Sequence, residues 1–434
     1  MTLAIDIGTH YARVARVAPD GSTPGLVDLP GGTPDEGLAL STTARGSRVT
    51  ALTETYDAFR ARHGPVRRIV VVLPQREKAE LTRQLGSAFA GVPDAPELRP
   101  LGTPHAVLAL LRHSGSAADG RYVVCDLGAR AADISVCAVT GHSVALVDAV
   151  SRAPAEGLGD GFDAALLADA GLPADAAALS ALAAVRREDG AAQRLQSLLA
   201  RAERSPGVYD STTVHWLGDR QVRAGVVRRS LAAVTTVLDT ALDGFRVGGR
   251  PSLVAVGGLS RLSPLHDHLG ARHELVALPG EGTDPCHAAV LGAALVAAGL
   301  VDPGDRYPHA VCVGTHRMVA GELRTEELEI SPAGTLEPGA PPVFAESGGQ
   351  RVRIRAAQGA QREVVVSVRA VPGGAGVPVR SVRVPPGSPG ERCHLGIRLS
   401  VEGIAHLVLQ PVGAGAGTEL PLGPLPVDLT GVRR

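Results

Sequence analysis

As far as Leu300 the chain alternates two kinds of segment, and after it the alternation stops. Short runs rich in β-branched residues, LAIDI, RRIVVVLP, RYVVCDL, ADISVCAV and PSLVAVGG, are separated by Ala/Leu-rich stretches whose apolar residues recur at helical spacing, over 78–90, 104–112, 191–203 and 229–242. Strands and helices in that order point to an α/β fold, because helices in such a chain cover the faces of a sheet. VDPGDRYPHA then breaks the pattern with Pro and Gly, the composition of a linker. Beyond it RVRIRAAQ, REVVVSVRAV, VPVRSVRVP, CHLGIRLSV and IAHLVLQPV alternate apolar and polar residues between the turns GGAG, PPGSPG and VEGIA. This predicts an antiparallel β-sandwich. The expected division is an α/β domain over 1–302, a linker over 303–313 and a β domain over 314–434. Residues 18–63 are the least legible, with GGTPDEG read as loop and TALTETYDAFRARHG as helix. The charged run GELRTEELEI reads as a polar stretch at the head of the β domain and GVRR as a loose tail. No repeat of fixed period is evident.

Composition excludes several classes. With 434 residues, 44% hydrophobic content and 20% charge, the chain has apolar surface for more than one packed domain and is not of the disordered kind. A formal net charge of -1 supplies no long-range field for nucleic acid or an anionic membrane, so neither is an expected partner. Cys125, Cys137, Cys286, Cys312 and Cys393 form no CxxC pair and read as reduced, structural thiols of a cytoplasmic protein. MTLAIDIGT enters a strand at once, with no basic flank or apolar leader core. The apolar run AAVLGAALVAAGLV falls short of the roughly 20 residues a bilayer requires, so a buried Ala-rich helix is expected.

Three segments far apart in sequence have the form of turns that cradle a phosphate. In AIDIGTHYARVARV a strand ends at Asp6, turns at Gly8 and Thr9 and returns as a second strand. Glycine lets backbone N–H groups approach an anion, and an adjacent aspartate suits a magnesium ion held through its waters. VVCDLGARAADISVCAV repeats the arrangement with Asp126, Gly128 and Asp133. In AVGGLSRL, Gly257 and Gly258 end a strand and open a helix, which suits close approach of a phosphate or sugar. Any one of these is a weak signal, because a Gly-containing turn is by default only a turn.

Together, in this order and spacing, they resemble the heat-shock protein 70 family of the actin-like ATPase superfamily. IDIGTH is similar to the family's IDLGTT, DLGARAAD to its DLGGGTFD, and VGGLSRLSP to its adenosine motif VGGxxRxP with the proline displaced by one. RRIVVVLP resembles the family's VITVP strand, GLGDGFDAALL its LGGEDFD segment, PCHAAVLGAAL its PDEAVAxGAA, and RLSVEGIAHLVLQ the closing strands of its peptide-binding sandwich. The resemblance spans nearly the whole chain and is weakest over 18–63 and 311–390. It implies an actin-like (ribonuclease H-like), two-lobed nucleotide-binding domain followed by an antiparallel β-sandwich. The ligands it implies are ATP or ADP with Mg2+, and the partner a peptide, an unfolded protein segment or a dedicated protein. By the same resemblance Asp6, Asp126 and Asp133 are the catalytic carboxylates, with Asp6 and Asp133 orienting magnesium-bound or attacking water. Gly8, Thr9, His10, Gly128 and Arg130 would meet the phosphates, and Gly257, Gly258, Ser260 and Arg261 would border the adenosine. Such a site works by positioning and charge stabilisation, without a covalent step.

The departures from the family pattern fall on catalytic parts. Ala129 and Arg130 replace two glycines and Ala131 a threonine, hindering positive φ and removing a hydroxyl. PLGTPHAVLAL offers Gly102 and Thr103 where the family carries an acid in NEPTAA, and Lys78, the single lysine, falls after the strand rather than on the family's extra lobe. Ala200, Glu203 and Gly207 stand where the family grips adenine with Glu, Lys and Ser. Arg130 is readable two ways, as a replacement donor to phosphate or as a turn residue of a degenerate site. Each lost charge-stabilising group costs on the order of 100-fold in rate, so at most a slow ATPase is expected. The alternative is a non-enzymatic scaffold that no longer uses nucleotide; a small-molecule kinase or a filament-forming relative is a third, and the β tail argues against the kinase. The linker lacks the family's acidic, Leu-rich run, and no helical lid follows the β region. His266 and His268 read as solvated rather than as metal ligands, Ser260 and His266 lack a GxSxG elbow, and Arg351, Arg353 and Arg355 read as one strand face.

Overall fold

The computed structural model describes residues 1–426 apart from 19, 20, 22, 34, 35, 86, 87, 90–94, 142, 189, 246–250, 281, 282, 305, 356–362, 370–375, 385–391, 401, 402 and 414. Most of GGAG, all of PPGSPG, the start of VEGIA and the closing GVRR lie outside them. The chain divides into two compact units, Met1–Cys137 with Asp148–Asp302 and Ala138–Val147 with Pro303–Arg434.

The first unit is mixed α/β and holds one mixed sheet and most of a second, in which residues 138–147 belong to the other unit. The strands of one are β1 (Thr2–Ile7), β2 (Tyr11–Val17), β3 (Pro24–Leu26), β4 (Gly32–Thr33), β5 (Gly37–Ala39), β6 (Arg68–Leu73) and β7 (Glu97–Gly102). They lie in the order β4-β5-β2-β1-β6-β7, with β3 on β2. β1 is antiparallel to β2 and parallel to β6, and β6 is parallel to β7. The other sheet contains β8 (Gly120–Leu127), β9 (Ala132–Thr140), β10 (Ser143–Arg152), and later in the chain β13 (Ser252–Val256) and β14 (Glu274–Leu275), in the order β10-β9-β8-β13-β14. β13 runs parallel to β8 and β14 to β13. The two sheets therefore share one scheme, a hairpin followed by two strands added on the side of its first strand. This repeat of topology carries no repeat of sequence, which is why no period is visible in the residues.

The elements between these strands follow from local chemistry. α1 (Thr42–Gly46) and α2 (Arg48–His63) are capped by the hydroxyls of Ser41 and Ser47, and Gly64 ends α2 at φ 81°. α2 packs Leu52, Tyr56 and Phe59 into a core with Leu3, Ile5 and Ile69. α3 (Lys78–Leu85) precedes β7, and α4 (Thr103–His113) starts at its end, with Pro104 in its first turn. α5 (Leu158–Asp169), α6 (Ala176–Arg186), α7 (Ala191–Arg204), α8 (Pro206–Tyr209), the hairpin β11 (Thr213–Leu217) and β12 (Arg220–Arg223), and α9 (Ala224–Leu242) fill the long excursion between β10 and β13. α10 (Ser263–Arg272) separates β13 from β14, and α11 (Ala288–Ala297) closes the unit. α11 is the run AAVLGAALVA, buried on nearly all sides against α4, β1, β2 and β6. No helix among the described residues is long and apolar enough to cross a membrane. All five cysteines are thiols, four of them buried.

The C-terminal unit is built from antiparallel sheets. One has the order β16-β15-β21-β22, from β15 (Ala310–Val319), β16 (Glu322–Ser331), β21 (Glu363–Arg369) and β22 (Val377–Arg383). A second has the order β17-β23-β24-β25 with β20 also on β23, from β17 (Val343–Phe344), β20 (Arg353–Arg355), β23 (Arg392–Leu399), β24 (Ile404–Pro411) and β25 (Thr418–Pro424). β18 (Glu346–Ser347) and β19 (Gln350–Arg351) make a small hairpin. Val311, Val313, Val366 and Val368 from one sheet and Leu395, Ile397 and Leu407 from the other share a single core. β15 begins inside the stretch read as linker, because Val311, Cys312 and Val313 are buried in that core. GELRTEELEI, the polar stretch at the head of the β domain, forms β16: it pairs along β15 from Val311↔Ser331 to Val319↔Glu322, and two of its acids are held by β21 on the far side of β15, the Ser367 hydroxyl donating to Glu327 at 2.9 Å and Arg369 to Glu329. Arg351 and the pair Arg353 and Arg355 fall on different short strands, and Arg351 stacks 4.2 Å from the Phe344 ring.

Candidate functional site

β1 and β8 end alike. In each, an aspartate is the next-to-last residue, a glycine follows the strand, and the glycine N–H donates to a carbonyl three residues on, Gly8 to Tyr11 at 2.9 Å and Gly128 to Ala131 at 3.0 Å. The tips of these hairpins are Thr9-His10 and Ala129-Arg130. Ala320 is the only non-glycine with positive φ among the described residues, so the second turn closes without the conformations that only glycine favours. β13 ends beside β8 in register, with Val256 next to Asp126. Gly257 turns the chain at φ 89°, where a Cβ would sit 2.7 Å from both Asp126 Oδ1 and the Leu127 carbonyl oxygen. The carboxyl ends of parallel strands thus open on one place, the usual ligand position in α/β sheets.

That place is a cavity of ≈ 1270 Å³, and all twelve residues singled out in the three turns line it: Asp6, Gly8, Thr9 and His10; Asp126, Gly128, Arg130 and Asp133; Gly257, Gly258, Ser260 and Arg261. The two hairpin glycines differ in what they allow. A Cβ on Gly8 would lie 2.9 Å from the Tyr11 carbonyl oxygen, whereas on Gly128 its nearest neighbour is 3.6 Å away. Gly8→Ala is therefore expected to cost roughly 1–3 kcal/mol and Gly128→Ala less than about 0.5 kcal/mol. Urea unfolding of the two variants measures the difference, and equal costs would contradict the geometry of the first turn.

The carboxylates of the cavity are matched by arginines. Burial raises Asp6 above the usual carboxylate range, and Arg13, Arg48 and His287 oppose the rise. Burial, with Asp133 and Asp6 adding to it, pushes Asp126 up to about 7. Asp133 is raised by burial and held back by Ser151 and Arg76. Arg48, the first residue of α2, donates through Nη1 to the carbonyls of Ile7 and of Gly8, the latter at 2.9 Å. Arg76, in the 3-10 turn Gln75–Glu77 after β6, brings Nε to 3.7 Å from Asp133 and bonds Glu77 at 2.8 Å. His10 Nε2 and Asp160 Oδ1 are 2.6 Å apart, tying the first turn to the start of α5. The second turn meets that helix as well, since Leu158 and Asp160 N–H donate to the carbonyls of Arg130 and Ala129 at 3.2 and 2.9 Å. Donors at a helix N-terminus that suit an anion are thus engaged by protein.

The third turn is braced rather than open. The Ser260 hydroxyl donates to the Val256 carbonyl at 2.7 Å, and the side chain is buried. Burial opposes the Arg261 charge, yet its hydrogen bonds to Asp284, 2.6 to 3.0 Å, hold it above the ordinary arginine value. Its Nη1 also reaches Glu36 at 3.0 Å, where Arg187 is a second partner at 3.1 Å. Gly258 alone in this turn has open space on its Cβ side. Ala200, Glu203 and Gly207 are exposed and lie outside the cavity lining, which α7 enters one to two turns earlier at Ala192, Leu195 and Gln196. The family comparison made at those three positions therefore falls on residues outside the cavity. His266 Nε2 lies 2.7 Å from the carbonyl oxygen of Ser260, not its hydroxyl, and His268 pairs with Asp239 at 2.9 Å. Among the described residues no group of three or more His, Cys, Asp or Glu is arranged to hold a metal ion.

Sequence reasoning missed Arg13, Arg48, Arg76, Glu36, Asp160 and Asp284. Only Arg76 carried a local signal, its place just after a strand whose end faces the cavity. What fold and site define is a chain with a mixed α/β unit, a large cavity at the ends of its parallel strands, and a unit of antiparallel sheets. No protein-family model matches the chain, and no curated protein matches it.

Proposed function

We propose that the first unit is an actin-like, two-lobed nucleotide-binding domain and that the antiparallel sheets form a β-sandwich binding a peptide or protein partner. The chain would then be a heat-shock protein 70-like protein that binds ATP or ADP with slow hydrolysis or none. One observation carries this: three glycine turns, separated by more than a hundred residues each, line a single cavity where two sheets of the same strand order end. Gly8 and Gly257 admit no Cβ there, and Gly258 presents bare backbone, as a site for phosphate and sugar needs. Slow turnover follows from the second turn, where Ala131 brings no hydroxyl and the Ala129 and Arg130 carbonyls engage α5. Magnesium between Asp6 and Asp133, implied by the resemblance, does not fit as well, because Arg48 and Arg76 already stand against these carboxylates.

The scaffold reading draws support from the same braces, since Ser260 and Arg261 are bonded within the protein. Thermal unfolding with ATP and ADP, repeated with Gly258→Leu, whose side chain would fill the open space beside that glycine in the cavity, separates the two. The nucleotide reading expects a rise in midpoint corresponding to roughly 2–3 kcal/mol at a hundredfold excess over Kd, lost in Gly258→Leu. No rise at millimolar nucleotide leaves the scaffold.

A further inference from the structure

The geometry points to a nucleotide site that works without a divalent cation, with Arg48 and Arg76 doing the charge neutralisation usually supplied by magnesium. This rests on the nucleotide reading and specifies its ligand as a metal-free nucleoside polyphosphate.

Mg2+ is held by carboxylates in near-octahedral geometry and keeps several of its waters, so it needs both unmatched negative charge and room. The cavity has the room and Asp133 Oδ1 accepts no hydrogen bond, but the negative charge of Asp6 and Asp133 is opposed by nearby arginines. Arg48 is pinned over the end of β1 by the carbonyls of Ile7 and Gly8, and its Nε lies 3.9 Å from Glu77. Arg76 Nε lies 3.7 Å from Asp133. The carboxylates that would anchor a metal therefore already face fixed positive charge. A guanidinium carries five N–H donors in a planar fork matched to phosphate oxygens, and the two carbonyl bonds of Arg48 use only one of its nitrogens.

A second observation points the same way. Arg13, on β2, lines the same cavity, and its Nε is buried with no hydrogen-bond partner. A buried donor without an acceptor is costly and calls for one. A polyphosphate brings acceptors for this Arg13 N–H.

The test measures ATP and ADP binding to the full chain by calorimetry, once with EDTA and once with excess MgCl2, for the wild type, Arg48→Met and Arg76→Met. The expected result is a wild-type Kd for ATP in EDTA within about threefold of its value in MgCl2, and a Kd in EDTA raised about tenfold or more in each variant. Circular dichroism of the variants confirms that they fold, and Arg76, which is the more exposed, keeps the test open if Arg48→Met does not. Binding seen only with MgCl2 would overturn this inference and leave the nucleotide reading standing. Binding in EDTA that neither variant weakens would overturn the assignment to these arginines. No binding in either buffer would overturn both.

Discussion

Gly292→Ala is expected to destabilise the first unit by roughly 3 kcal/mol or more, although alanine is the better helix former by about 1 kcal/mol. Gly292 lies in the middle of α11, where that helix crosses α4. A Cβ there would overlap the carbonyl oxygen of Ala106, come within 2.8 Å of its carbon, and reach 3.2 Å from Leu110 Cβ. The obstacle is backbone in a buried helix, so no side chain can swing aside and the helices must move apart. α4 starts at Thr103 and α11 follows Cys286, both on the cavity wall. Separation would therefore disturb the site as well as the core. Urea unfolding of Gly292→Ala beside Gly258→Ala, where the added methyl meets open space, isolates the effect. Equal stability of the two variants would contradict the close crossing of α4 and α11.

Stability is expected to fall as pH rises from about 4 to about 7, and Asp126→Asn is expected to remove much of that slope. Burial, then Asp133 and Asp6, raise Asp126 from 3.8 to about 7. Between those values the folded chain holds a proton that the unfolded chain has released. The contribution is fully present below the unfolded value and is lost as pH passes through the folded one. A shift of this size corresponds to at most about 4 kcal/mol, and relaxation around the charge reduces it to roughly 2. Asp6 and Asp133 are raised in the same direction and add to the fall in stability with rising pH. Arg48 opposes the rise at all three, so Arg48→Met is expected to widen it. Chemical denaturation at pH 4.5 and 7.5 reads the slope. An Asp126→Asn protein as pH-dependent as the wild type would show that another group carries it.

The α/β stretch was open to a reader of residues because its signals are local. RRIVVVLP is β-branched and becomes β6; TALTETYDAFRARHG has helical spacing and falls within α2, whose Ser47 cap and Gly64 stop sit at its ends. β4 and β5 escaped notice because strands of two or three residues have too few positions to show a period. GELRTEELEI was legible as polar, but not that Glu327 and Glu329 are held by partners on another strand, because spacing along the chain does not show which strands meet.

The site divides along the same line. Asp6, Gly8, Asp126, Gly128 and Gly257 were legible because a strand ending in an acid and a glycine is written in consecutive residues, and backbone sterics permit few other ways to turn there. Their shared cavity depends on β8 and β13 pairing across 124 intervening residues, between Leu127 and Ser252, and no local rule predicts that. The arginines facing the aspartates come from α2, β2 and the turn after β6, the brace on Arg261 from Glu36 and Asp284. Conformation at a turn is governed by contacts within a few bonds. Which charges meet across a cavity depends on how whole elements pack, and so does how far burial lifts Asp126, because desolvation and Coulomb terms depend on distances that exist only once the chain has folded.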